Sequence, residues 1–209
     1  MAEAPVTRYA SSMTESNLTR SPEMMSRGDT ALLVVDVQEK LIPLIAQQET
    51  IVWNIRRLLN AAEVLDLFVA ATEQYPQGLG KTVGALSDLL GEISEKTAFS
   101  SARVPGLLAS FSKRDIRKVL LVGIETHVCI EQTALDMLSA GLGVYVAVDA
   151  VGSRNSLDRD IALRRMESAG AVLTTTEAVL FEWCEIAGTP EFKRISQLVR
   201  ETGPDTSKR

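Results

Sequence analysis

Apolar positions along the chain alternate between two patterns, and the alternation predicts an α/β fold. Residues 30–37 (TALLVVDV) form a short, β-branched apolar run, which suits a strand buried on both faces. Residues 50–65 then carry Ile51, Ile55, Leu58, Leu59, Ala62 and Leu65, the spacing of an amphipathic helix. The same exchange repeats downstream. Strands are expected at 67–72, 116–123, 143–150 and 171–174, with a short strand or extended segment at 93–99. Helices are expected at 83–90 (stopped by Gly91), 106–112, 127–140, 156–168, 176–183 and 191–201. Strands separated by helices imply right-handed crossovers. The expected architecture is a three-layer αβα sandwich around a six-stranded, mostly parallel, Rossmann-like sheet.

The ends break this pattern. Residues 1–29 are rich in Ser, Thr, Glu and Met without a clear period, and read as a flexible or loosely docked arm. Residues 202–209 read as a disordered tail. Between them one domain spans 30–201, a size that suits the 209-residue chain.

Composition narrows the function. The net charge is −5 with no dense Lys/Arg run, which argues against nucleic acid as the main partner. No apolar run approaches the ~18 residues of a membrane span. The first 29 residues lack the apolar core of a secretory signal, so a cytoplasmic location is expected. There Cys129 and Cys184 stay reduced.

In parallel α/β sheets, active sites lie at the carboxyl ends of strands, near the topological switch point. Three candidates fall there. Asp36 closes the first strand in VVDVQ, Lys96 stands at the end of the third, and Cys129 follows the fourth in VGIETHVCIEQT. Each has a plainer reading: a capping aspartate, a solvated lysine, a buried structural thiol. The placement of Cys129 in the first turn of a helix favours chemistry. A helix N-terminus carries roughly half a positive charge and unpaired N–H groups, which lower a thiol pKa and bind an oxyanion. Asp36 is then suited to move the thiol proton, and Lys96 to stabilise negative charge. Spacing alone does not bring the three together.

The ordered blocks DVQ, EKTAFSSA and GIETHVCIEQTALDMLSAG followed by VYVAVDAVGSR resemble the isochorismatase-like cysteine hydrolase superfamily over about residues 30–182. The segments TTTEAVLFEW and GTPEFKRISQLVRE are similar to the isochorismatase-domain-containing branch. The resemblance implies the isochorismatase-like hydrolase fold and a catalytic triad of Asp36, Lys96 and Cys129. It also implies a non-proline cis peptide at Ile124–Glu125 and an oxyanion site from the amides of Glu125 or Thr126 and Cys129.

Within that resemblance, metal-binding members use an aspartate and two histidines downstream of the first motif. Here the single histidine is His127, and Glu73 with His127 makes a poor zinc set. No metal or other cofactor is expected. Retention of the cysteine fits hydrolysis of a small amide or ester through a thioester. A non-catalytic scaffold and an isochorismate-type enol-ether hydrolase are the alternatives. Gln38, Glu73, Gln74, Tyr75, Phe99 and Arg154 fall on expected post-strand segments and are candidates to line a small-molecule pocket. Homo-oligomers, dimer or larger, are expected, with Phe181, Trp183 and Phe192 as interface candidates.

Overall fold

The structure, a computed structural model, describes residues 19–205. Among these, six strands form one sheet in the order β3-β2-β1-β4-β5-β6. They are β1 Thr30–Val35, β2 Phe68–Gln74, β3 Ile93–Lys96, β4 Lys118–Ile124, β5 Gly143–Gly152 and β6 Val172–Thr174. Every neighbouring pair is parallel. The helices are α1 Gln48–Leu65, α2 Pro76–Leu79, α3 Gly84–Ser87, α4 Leu107–Lys113, α5 Glu131–Ser139, α6 Ser156–Ser168, α7 Thr176–Cys184 and α8 Pro190–Val199. No helix among the described residues is long and apolar enough to cross a membrane.

The continuous apolar run of β1 follows from burial on two sides. Leu32 and Val34 enter a core with Ile51, Ile55 and Leu58 of α1, Val179, Leu180 and Trp183 of α7, and Ile195 of α8. Ala31, Leu33 and Val35 enter the opposite core with Phe111 of α4, Ala134 and Met137 of α5, and Leu163 and Met166 of α6. Side chains alternate along a strand, so two cores need apolar residues at consecutive positions. Each fully buried Leu or Val contributes about 1.5–3 kcal/mol relative to exposure.

The strand order reverses between β1 and β4, so the switch point lies where those two strands end. Gly123 makes their close approach possible. Its φ is 119°, and a Cβ there would stand 2.0 Å from the Val35 carbonyl oxygen. Only glycine combines that conformation with that proximity.

Several expectations change. The first 18 residues and the last four lie outside the described residues. The described part of the arm is docked: Met25 is fully buried in the α1-side core, and its amide donates to the Glu182 carboxylate at 3.0 Å. Asp29 pairs with Lys118 at 2.7 Å. Polar composition concealed this docking, because one buried methionine and a few ion pairs carry it. The 83–90 helix shrinks to α3, capped at Asp88 rather than stopped by Gly91. The third strand stops at Lys96, not at 99. The helix expected from residue 127 divides into a wide π-type turn, Thr126–Ile130, and then α5. Trp183 is fully buried in its own chain, so it offers no surface to a second copy.

Candidate active site

The sheet brings Asp36, Lys96 and Cys129 to its carboxyl edge. Asp36 follows β1 directly, with φ 55°, a left-handed conformation that Asp tolerates better than most residues. Lys96 ends β3, paired in register with Gln74 of β2. Two strand spacings, about 9–10 Å, separate β3 from β1. The lysine stem covers that distance: its Nζ donates to Asp36 Oδ2 at 2.7 Å. It also donates to Gln74 Oε1 at 2.7 Å and to the Phe99 carbonyl at 2.9 Å, with the Ala98 carbonyl at 3.3 Å. The pair is desolvated, with side-chain exposures of 3% for Lys96 and 0% for Asp36. Burying such charges costs several kcal/mol unless their hydrogen bonds are filled, and here they are.

The second carboxylate oxygen, Asp36 Oδ1, accepts from the Thr72 hydroxyl at 2.7 Å. Thr72 lies 3.2 Å from the Ser101 hydroxyl, and the Ser101 amide donates to Thr133 Oγ1 at 2.8 Å. This polar chain joins β2 to α5, the helix that follows Cys129. Sequence reading missed Thr72, Ser101 and Thr133. Thr72 carried the same signal as Asp36, a polar residue closing an apolar strand.

Cys129 is 6% exposed, and its Sγ lies 4.0 Å from Gln74 Oε1. Burial pushes its thiol well above the usual range, and the negative charge of Asp36 adds to this, while Lys96 opposes. The lowered pKa expected from a helix start is therefore overturned. Cys129 sits in a wide turn rather than at a regular helix end, and desolvation outweighs the local dipole. Burial and the Asp36 charge thus both favour the neutral thiol at Cys129.

The Ile124–Glu125 peptide is cis. The Glu125 carboxylate accepts from the Arg154 amide at 3.0 Å and from its guanidinium at 3.0–3.1 Å, which ties the end of β4 to the end of β5. The Glu125 carbonyl takes the amides of Val128 and Ile130. Those two amides are committed, and the oxyanion candidates remain Thr126 and Cys129 beside Glu125.

The proposed pocket set separates. Gln74 lies within the site. Gln38 is wholly buried and acts as a brace: its Nε2 donates to the carbonyls of Gln74 and Gly80, and its Oε1 accepts from the Gln74 amide. Glu73 points to the other side of β2, where Oε1 accepts from the Thr82 amide at 2.6 Å and its hydroxyl at 2.9 Å. Tyr75 turns outward, its ring covering Gly78. Arg154 is spent on Glu125. Phe99 is half exposed over a recess of about 260 Å³ shared with Ala98, Ser100, Arg103, Gln132 and Asp136. A larger cavity, about 620 Å³, opens beside Asp149 and Arg159 and includes none of the three candidate residues. Volume is a poorer guide here than converging chemistry. His127 Nδ1 lies 3.0 Å from the Ser153 hydroxyl. Among the described residues, no three His, Cys, Asp or Glu side chains converge as a metal site.

Comparison with known proteins follows the same lines. The isochorismatase domain model matches residues 30–178. Isochorismatase domain-containing protein 2A of Mus musculus is 43% identical over 176 residues, covering 84% of each chain. The human isochorismatase domain-containing protein 2 is 43% identical over 180 residues, covering 86% of this chain and 87% of the relative. Among solved structures, one described as the MAR1 ribonuclease of Caenorhabditis elegans superposes with a TM-score of 0.82 at 41% identity, covering 89% of this chain and 97% of that one.

Proposed function

Given that this chain belongs to the isochorismatase family, we propose that it is a cysteine hydrolase of a small amide or ester. The observation that carries this reading is the buried Lys96–Asp36 pair beside Cys129. In the proposed cycle, Asp36 takes the Cys129 proton as sulfur attacks the substrate carbonyl. The carbonyl oxygen becomes an oxyanion facing the backbone amides of Thr126 and Cys129. Asp36 then gives the proton to the leaving amine or alcohol, and a thioester remains on Cys129. Water attacks the thioester, Asp36 accepts its proton, and the acid product leaves as the proton returns to sulfur. Lys96 stays an ammonium throughout and balances the carboxylate. The net charge of the buried pair is zero, which favours an uncharged substrate group at the sulfur.

The test is a hydrolysis screen over small amides and esters with the full chain and its Cys129→Ala variant. We expect activity that vanishes in the variant, by at least about 10⁴-fold, and survives a chelator. Equal activity of the variant would overturn the cysteine mechanism and favour an enol-ether-type reaction, and no activity in either protein would favour a scaffold role. RNA belongs in the screen because of the ribonuclease relative. Among the described residues Lys96 is the one cation seen to act on Cys129, too little charge to hold a phosphate chain, so we expect no Cys129-dependent cleavage of RNA. Assembly with further copies is part of the same proposal, measured by light scattering of the full chain.

A further inference from the structure

Gln74 occupies a position that the proposed cycle does not use. Its side-chain amide can be oriented in one way only. Nε2 donates to the Thr97 carbonyl at 2.8 Å, which cannot donate in return, and Oε1 accepts from the Lys96 ammonium, which cannot accept. The backbone of Gln74 is gripped on both sides by the Gln38 carboxamide. The amide oxygen is thereby held toward both the lysine and Cys129 Sγ.

We infer that Gln74 is a positioning residue that keeps Cys129 in its thiol form until substrate arrives. An acceptor oxygen facing sulfur favours S–H and repels a thiolate. The same oxygen engages one Lys96 N–H, and Asp36 and the Phe99 carbonyl engage others, so the lysine's donors are divided among competing acceptors while its charge still acts on the sulfur. The charged groups acting on Cys129 are Asp36 and Lys96. On neighbouring positions Glu125 is paired with Arg154 and Glu131 with Arg165, while His127 faces Ser153. A protonated buried thiol resists adventitious alkylation and oxidation, so this arrangement protects the nucleophile between turnovers. The inference rests on the proposed role of Cys129, yet its test does not require hydrolysis.

In a Cys184→Ser background, the rate of Cys129 alkylation by iodoacetamide is followed against pH for the parent, Gln74→Met and Gln74→Glu. Methionine keeps the length of glutamine and removes the acceptor. We expect its midpoint to move to lower pH, giving about tenfold faster labelling near neutral pH. Glutamate adds a negative charge, and we expect its midpoint to move to higher pH. A space-filling role for Gln74 leaves the Met midpoint unmoved, and that result, or an upward shift, overturns the inference. If Gln74→Met fails to fold, Gln74→Leu decides: an unmoved or raised midpoint overturns the inference, a lowered one supports it. A shifted Met midpoint in a protein without hydrolase activity retains the inference and discards the proposed reaction.

Discussion

Two lysine–carboxylate pairs flank the same strand, β2, and they differ in almost every respect. On one face, Lys96 and Asp36 meet at 2.7 Å with both side chains out of water. On the other, Lys81 reaches Glu73 at 3.2 Å, with the lysine 66% exposed and the glutamate 4% exposed. Thr72 and Gln74 serve the first face, Glu73 the second, as strand alternation requires. The first pair gathers polar groups from β1, β2 and β3 around a sulfur. The second fastens the loop before α3 through the Thr82 amide and hydroxyl. Sequence proximity to the chemistry is therefore a poor guide to participation in it. Glu73 lies between two residues of the candidate site, yet its carboxylate goes to Thr82 and Lys81.

Substitutions sharpen the contrast. The largest expected effect is from Lys96→Met, which leaves Asp36 buried without its cation. We expect a loss of about 3–5 kcal/mol in urea unfolding, with alkylation of Cys129 slowed at every pH below its midpoint. A loss under 1 kcal/mol would mean that Asp36 finds another partner. Glu73→Ala comes next. It strands the buried Thr82 amide and hydroxyl, at about 1–3 kcal/mol, while the alkylation profile of Cys129 stays where it is in the parent.

The acid limb of stability distinguishes the pairs further. Burial raises the Glu73 pKa, but the Thr82 amide and hydroxyl and then Lys81 overcome it and hold the carboxyl below its usual value. A depressed folded pKa stabilises above the unfolded value and is lost as pH falls through the folded one. Glu73→Gln is accordingly expected to flatten the decline in melting temperature below about pH 4.5; an unchanged decline would assign the acid limb to other carboxylates, such as Asp29. The smallest effect is from Lys81→Met. The exposed lysine is screened by water and salt, so no measurable change in the urea midpoint is expected.

Legibility followed the range of each interaction. The two-sided apolar run of β1 and the helical spacing of α1 are local periodicities, and both elements formed where the pattern put them. Asp36 and Cys129 stood out because polar groups at the ends of buried strands are rare locally. The docking of Met25 and the burial of Trp183 depend on partners more than 100 residues away, or on whole helices, and no local pattern announces them. The chain Asp36–Thr72–Ser101–Thr133 was invisible for the same reason: hydroxyls are common, and only their convergence has meaning.

The linear order of residues determined the α/β layering and the sequence of its strands and helices, since periods of 2 and 3.6 and the positions of breakers are properties of neighbours. Tertiary structure alone decided that Lys96 crosses two strand spacings to Asp36, that Glu73 turns away, and that burial and the Asp36 charge push the Cys129 thiol upward. Those outcomes depend on parallel register, on the crossing at Gly123 and on the loss of water around a sulfur. Each arises between segments distant in the chain, where desolvation and distance outweigh local propensity.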